Sequence, residues 1–530
     1  MMTRPKEVFK IIFLLLMAAF NIACNSVKTS NQEPGVVQLK SGLISGVLLD
    51  STTNLRVFKG IPYAEPPIGE LRWKAPVPVQ KWDSVLTCDT YGNWCPQKTR
   101  NDKIKLSEDC LCLNVWSNNV DGKEKLPVMV WIHGGGLNAL SSHYNNTLNG
   151  DQFTKKGIVV VSINYRLGQL GFLAHPALSA ESENNVSGNY GFLDQLEALK
   201  WVQENIEEFG GDPDNVTIFG ESAGGLSVGV LCASPLSKGL FHKAIMQSPW
   251  MFGFISKIAK PNITRLREPL ASVASAEELG TKWADKYVNE GEDVLEKLRA
   301  LDAIQVIKDE PYYETRTTVD GWFLHDYPEA VFAKGEQMDI PVMIGTNKNE
   351  GTAFWNYVAA KNQEEFTEVL TDFYDEGAKK VAGFYPCTSA EETKTAASKF
   401  VTDSWFLEPA DHLVQGMENV TSPVYQYEFT IPSRKWPVIG ATHGLEIRYV
   451  FDNLNEDAAE VDKAAAKSMN SYWSQFAKTG DPNLPGLPRW EPYTKDKRSY
   501  MEFGESVTPK EEVPCKACDL IREEKIKAYN

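Results

Sequence analysis

The 530-residue sequence contains no long internal repeat and no low-complexity tract, so a repeat or disordered architecture is excluded. No proline-rich or charged linker divides it, and one domain is therefore expected over 36–530. Helical insertions are expected between Trp250 and Asp320 and between Phe354 and Ser422. Basic residues are in short supply, 54 against 70 acidic ones, for a net charge of −16. That balance argues against nucleic acid and anionic membrane surfaces as partners. Beyond the N-terminal segment no run is long and apolar enough to span a bilayer. The pair Cys515 and Cys518 has no second close pair and no histidine-rich partner, so a bridge or free thiols are expected there and no metal. What is present is ordinary globular composition, with enough apolar residues for a large core.

The first segment has a different character. Arg4, Lys6 and Lys10 precede the apolar run Ile11 to Phe20, and Asn21-Ile-Ala-Cys24 follows. A basic start, about ten apolar residues and a small residue before a cut form a secretory signal over 1–23. The cysteine after Ala23 resembles a bacterial lipoprotein processing site, with Cys24 as the lipidated first residue and 24–35 as a tether. Ordinary cleavage nearby, with Cys24 incidental, is the alternative. Export is expected either way: to the cell envelope on a lipid anchor if the source is bacterial, otherwise secretion. Nine cysteines suit an oxidising compartment, and setting Cys24 aside leaves an even eight.

Four short apolar runs lack polar alternation, as strands covered on both faces do: Leu126 to Ile132, Ile158 to Ile163, Val216 to Phe219 and Pro341 to Ile344. Between the second and third, Asp194 to Ile206 carries apolar residues at helical spacing until Gly210-Gly-Asp-Pro213 stops it. Strands alternating with helices predict an α/β fold, a central mostly parallel sheet with helices on both faces. Ligands in such sheets bind beyond the carboxyl ends of the strands.

The third run leads into Gly220-Glu-Ser-Ala-Gly224 and then a small-residue segment suited to a helix. Strand, sharp turn and helix are the context in which G-x-S-x-G holds a nucleophile, here Ser222. Gly225-Leu-Ser227-Val-Gly229 fits the same pattern, but no strand precedes it directly, so Ser227 is expected to pack the helix. A serine hydroxyl needs a base, an acid to orient that base, and amide donors for an oxyanion. Gly134-Gly-Gly136 follows the first strand and lets backbone approach a substrate oxygen, which makes the amides of Gly135, Gly136 and Ala223 the expected donors. Of seven histidines, the chain order serine–acid–histidine leaves those after Ser222. His242 and His412 lie in helix-like segments and His325 precedes the strongest acid, which leaves His443 in Gly440-Ala-Thr-His-Gly444. The acid is expected just after a strand, where Glu350 stands; Asp320 and Asp326 are weaker rivals.

These segments together resemble the type-B carboxylesterase family of the α/β-hydrolase superfamily. The similarity runs from about Val36 to Tyr493 and includes Ser107-Glu-Asp-Cys-Leu-Cys-Leu-Asn114, Trp131-Ile-His-Gly-Gly-Gly136, Asn189-Tyr-Gly-Phe-Leu-Asp-Gln195, Asn349-Glu-Gly351 and His443-Gly-Leu-Glu446. The resemblance implies an α/β-hydrolase fold, a Ser222–His443–Glu350 triad, a disulfide between Cys95 and Cys110, and hydrolysis of small or aromatic carboxylic esters without metal or organic cofactor. It leaves a small-molecule ester as the partner and the membrane reached only through the N-terminal anchor. A lipase or carbohydrate-ester hydrolase on the same site is one alternative; a non-catalytic adhesion module is another. The sequence also departs from the family. Leu137 follows the glycine triplet where an aromatic residue is common, Pro249-Trp250 replaces small residues, and Cys112 replaces a tyrosine. The segment from Cys95 to Cys110 carries Lys98, Arg100, Lys103 and Lys105 in place of the tryptophan with which cholinesterases bind a quaternary ammonium. Choline esters are therefore not expected.

Overall fold

The computed structural model describes residues 35–120, 124–249, 263–269, 274–308, 317–512 and 515–529. The basic and apolar N-terminal segment, Cys24 and Trp250 lie outside them.

Among the described residues eleven strands form one sheet. At its centre Gly211–Glu221 lies between Leu126–Ile132 and Lys243–Gln247, parallel to both. Parallel pairing continues outward through Val342–Asn347, Val424–Phe429 and Tyr500–Phe503 on one side and through Val159–Ile163 on the other. Antiparallel strands close both margins, with Val507–Lys510 at one end and Cys112–Ser117, Leu55–Pro62 and Val47–Asp50 at the other.

The strand pleat divides each central run between two cores. Val128, Val130 and Ile132 face one side, with Ile218, Met246 and Ile344. There they meet Phe192, Leu196 and Leu199 of the helix Tyr190–Asn205 and Leu226 and Val230 of the helix Ala223–Ala233. Met129, Trp131, Phe219, Ile245 and Met343 face the other side, against Met469, Tyr472, Trp473 and Phe476 of the helix Glu460–Thr479. Burial on both faces is why these runs show no polar alternation in sequence.

Two boundaries differ from the sequence reading. The elbow strand starts at Gly211 and runs through Glu221, and Gly345 to Asn347 continue a strand instead of beginning a loop. Pairing with neighbouring strands holds Gly211, Gly220 and Glu221, and likewise Gly345 to Asn347, extended against their local preference.

Helices Gln363–Tyr374 and Ala390–Val401 build a separate apolar cluster with Ala517 and Ile521 of the C-terminal segment. No described helix is long and apolar enough to cross a membrane.

Candidate active site

The elbow is formed by close approach of backbone. A Cβ on Gly224 would collide with the carbonyl oxygen of Ile132 in the adjacent strand, so only glycine lets the helix start against that strand. Ser222 takes φ 58° and ψ −121° between strand and helix. Its amide donates to Gln247 O at 2.9 Å, and its carbonyl accepts from Leu226 N at 2.8 Å. Left-handed backbone is costly for a residue with a Cβ, and here it is held by bonds on both sides. The decoy Ser227 is fully buried in the helix; it donates to Ala223 O at 2.8 Å and accepts from Gln195 Nε2 at 3.1 Å.

Glu350 opens a short 3₁₀ turn three residues beyond the strand Val342–Asn347. Gly351 permits the turn, because a Cβ there would strike the carbonyl of Ser398, and its amide donates to Thr402 Oγ1 at 2.9 Å. The Glu350 carboxylate is fully buried. One oxygen accepts from Asn347 N at 2.7 Å and Ser248 Oγ at 2.5 Å; the other lies 2.5 Å from His443 Nδ1. The sequence rivals are committed elsewhere. Asp320 accepts three successive backbone amides, from Trp322 to Leu324, and Asp326 pairs with Lys334.

His443 thus meets Glu350 across 93 residues of sequence. Its Nε2 lies 3.2 Å from Glu221 Oε1, next to the serine, and among the described residues no hydrogen bond joins it to the Ser222 hydroxyl. Phe406 and Phe354 pack on the ring at centroid distances of 4.8 and 5.0 Å, and Trp405 and Tyr357 extend this aromatic wall. Phe406 and Trp405 come from a π-helical turn, Thr402–Leu407, a geometry frequent at functional sites.

Gly134 lies against the serine, since a Cβ on it would come within 3.1 Å of Ser222 Cβ. Gly135 and Gly136 follow with φ of 96° and 64°. Ala223 is the first residue of the helix, where an amide has no intrahelical acceptor. Among the described residues none of these three amides donates to a backbone carbonyl.

Two acidic residues in this cluster escaped the sequence reading. Glu446 is fully buried, accepting from Asn347 Nδ2 at 2.5 Å and Gln247 Nε2 at 3.1 Å, and Glu221 is nearly so. Both stand inside motifs already singled out, but their spacing gave no sign that both carboxylates turn inward. Burial first, then repulsion from neighbouring carboxylates, pushes both well above the usual carboxylate range. Burial works against the His443 imidazolium, but Glu221, Glu350 and Glu446 outweigh it and raise His443 to about 9.

Cys95 and Cys110 are bridged, as are Cys515 and Cys518. Cys88, Cys112, Cys232 and Cys387 are free and buried, so the even number did not mean four bridges. Among the described residues no group of histidine, cysteine and acidic side chains could hold a metal ion.

A mostly parallel sheet that presents a serine on a strand-to-helix elbow, beside a carboxylate-bound imidazole at the carboxyl ends of its strands, defines an α/β hydrolase. The chain belongs to the carboxylesterase family, whose match spans residues 33–521. It is 36% identical to a fumonisin B1 esterase of Sphingopyxis macrogoltabida, over 93% of this chain and 91% of that protein. It is 35% identical to the para-nitrobenzyl esterase of Bacillus subtilis, over 89% and 95% of the two chains. Liver carboxylesterase 1 of Oryctolagus cuniculus is 32% identical, over 93% and 94%. The protein is a carboxylic-ester hydrolase of the serine class, which sets aside the non-catalytic adhesion module.

Proposed function

We propose that Ser222, His443 and Glu350 are the catalytic triad and that the protein hydrolyses small or aromatic carboxylic esters through an acyl-enzyme. The observation that carries this reading is the 2.5 Å contact between His443 Nδ1 and the buried Glu350 carboxylate, beside a serine held at φ 58° on the elbow. Glu350 orients the ring and favours its protonated form, while Nε2 lies beside the side chain of Glu221, the residue before the serine. The serine–imidazole bond is open here, and such bonds tighten when substrate arrives.

In the first half-reaction His443 Nε2 takes the Ser222 proton as Oγ adds to the ester carbonyl. The carbonyl oxygen becomes an oxyanion held by the amides of Gly135, Gly136 and Ala223. As the tetrahedral species collapses, His443 returns the proton to the leaving alcohol and the acyl group stays on Ser222. Water, deprotonated by the same imidazole, then attacks the acyl-enzyme; the imidazolium returns that proton to Ser222 Oγ as the acid is released. Metal and organic cofactors have no part in this scheme.

The wall of Phe354, Tyr357, Trp405 and Phe406 beside His443 supports a flat or short apolar group as substrate. A lipase or carbohydrate-ester hydrolase is the alternative on the same triad. Rates on p-nitrophenyl esters of increasing chain length separate them, with the proposal requiring a maximum at short or aromatic acyl groups and no activation at an oil–water interface. Ser222→Ala is expected to lower kcat by at least about a thousandfold with an unchanged melting temperature. Hydrolysis surviving that substitution would remove Ser222 from the mechanism.

Two disulfides support export to an oxidising compartment. Anchoring through Cys24 is part of the same proposal, and metabolic labelling with a radioactive fatty acid, lost in Cys24→Ala, tests it.

A further inference from the structure

The triad stands on strand ends and short turns, but the glycine turn beside it is a different kind of element. Gly135, Gly136 and Leu137 are left-handed in succession, with φ of 96°, 64° and 62°, and Leu140 follows at 74°. Leucine disfavours that region because its Cβ crowds the following carbonyl, so contacts elsewhere must hold the turn.

Leu137 O accepts from Gly168 N at 2.8 Å, and Gln97 holds the far end of the turn. The residue is 4% exposed, and its side chain pairs with both backbone groups of Leu140: Nε2 donates to Leu140 O at 2.8 Å, and Leu140 N donates to Oε1 at 2.7 Å. Nε2 also donates to Cys95 O at 3.1 Å. Leu140 bears directly on the turn. A Cβ on Gly135 would run into the carbonyl of Ala139 and lie 3.0 Å from Leu140 Cγ, and Gly135 O accepts from Asn138 N and Ala139 N at 3.1 and 3.0 Å. The position of residues 139–140 therefore sets the position of Gly135.

Gln97 is itself held two residues inside the loop closed by Cys95–Cys110. Trp94 N donates to Lys105 O, and Ser107 N to Trp94 O, both at 3.0 Å, which ties the two sides of that loop together. A continuous chain of contacts thus runs from disulfide to Gln97, to Leu140, to Gly135.

We propose that Gln97 is a positioning residue for the oxyanion hole, and that the Cys95–Cys110 loop acts on catalysis through it. The inference rests on the reading of the Gly135, Gly136 and Ala223 amides as that hole. Such donors accelerate acyl transfer only when aimed at the place where charge develops, and displacement of their support weakens the transition state more than the bound substrate.

The test uses Gln97→Met, which keeps the length and loses every hydrogen bond, and Gln97→Glu, which keeps an acceptor for Leu140 N but sets a carboxylate oxygen against Leu140 O. kcat and KM on p-nitrophenyl acetate are measured per active site, counted by fluorophosphonate titration. They are compared with the Ki of a trifluoromethyl ketone, which adds to Ser222 and places its oxyanion in the hole. The expectation is a fall in kcat of about 10- to 30-fold, less than the 100- to 1,000-fold of a deleted donor. KM should stay within about twofold, because an interaction made only in the transition state is lost. The Ki should rise by the same factor as kcat falls. A merely structural role would lower the melting temperature or the titre while leaving kcat per site and Ki unchanged. That result, or wild-type values throughout, overturns the proposal. Where both variants fail to fold, Cys95→Ser/Cys110→Ser is measured in the same way, and a wild-type kcat and Ki there overturns it. Ser222→Ala is run in parallel. If it still turns over, the nucleophile assignment fails independently of Gln97; if it is inactive and the Gln97 variants behave as wild type, only this inference fails.

Discussion

At the residue scale the site is governed by how many carboxylates share one imidazole. Glu221, Glu350 and Glu446 all lie close enough to His443 to favour its protonated form, and their sum outweighs the burial that opposes it. In the proposed mechanism His443 must be neutral to take the serine proton. With the ring raised to about 9, the active fraction therefore grows as pH climbs through that value. Glu221→Gln removes the strongest of these attractions. The ring's pKa should fall and the acid limb of the kcat/KM profile move to lower pH; a limb that stays or moves upward would dissociate Glu221 from the imidazole. The contrast between Ser222 and Ser227 is also set at this scale. Both carry the G-x-S-x-G pattern, but one sits at a left-handed elbow and the other is consumed by helix-interior bonds to Ala223 and Gln195.

At the element scale, the site is assembled where strand ends meet helices at glycines that admit no side chain. Gly351 is the clearest instance, because its missing Cβ is the space taken by the Ser398 carbonyl of helix Ala390–Val401. Gly351→Ala should force the Glu350 turn away from that helix and weaken the Glu350–His443 bond. Overpacking of this kind destabilises by about 1–3 kcal/mol, to be read as a lower denaturation midpoint accompanied by a lower kcat. A variant with wild-type kcat would mean that the turn relocates without disturbing the acid. Central strands were legible because continuous apolar runs report burial on both faces. Extension of Gly345 to Asn347 was not, since pairing with Val424–Phe429, and no local preference, keeps them extended. The π-helical turn under His443 was equally hidden: nothing in Thr402 to Leu407 distinguishes it from the helices on either side.

At the scale of the whole molecule, the chain returns at its end to brace the site's aromatic wall. The helix Cys518–Tyr529 begins at the Cys515–Cys518 bridge and packs on the helix Glu408–Gly416 and on the π-helical turn. Arg522 donates to Glu408 at 3.0 Å and to Asp411 at 2.8 Å, and both carboxylates are buried. Lys525 reaches Glu408 at 2.5 Å and the carbonyl of Ser404, inside the turn, at 3.1 Å. Arg522→Ala leaves Glu408 to Lys525 and Asp411 to Arg498 but removes charged hydrogen bonds from both buried carboxylates, so it should cost about 1–3 kcal/mol of stability. Urea denaturation would show it as an earlier midpoint, while kcat per titrated active site should stay near wild type below the transition. An unchanged midpoint would mean that water reaches Glu408 and Asp411 in the variant.

Local patterns alone were enough to settle the sheet class and to single out Ser222, Glu350 and His443 as the residues of the proposed triad. Each of these depends on short-range information: an apolar run, a glycine spacing, a chain order. Tertiary structure alone decided that Glu221 and Glu446 join Glu350 around the imidazole and that Gln97 holds Leu140 beneath the glycine turn. Those are contacts between residues far apart in the chain, and they exist only after burial has removed the water that each polar group would otherwise bind.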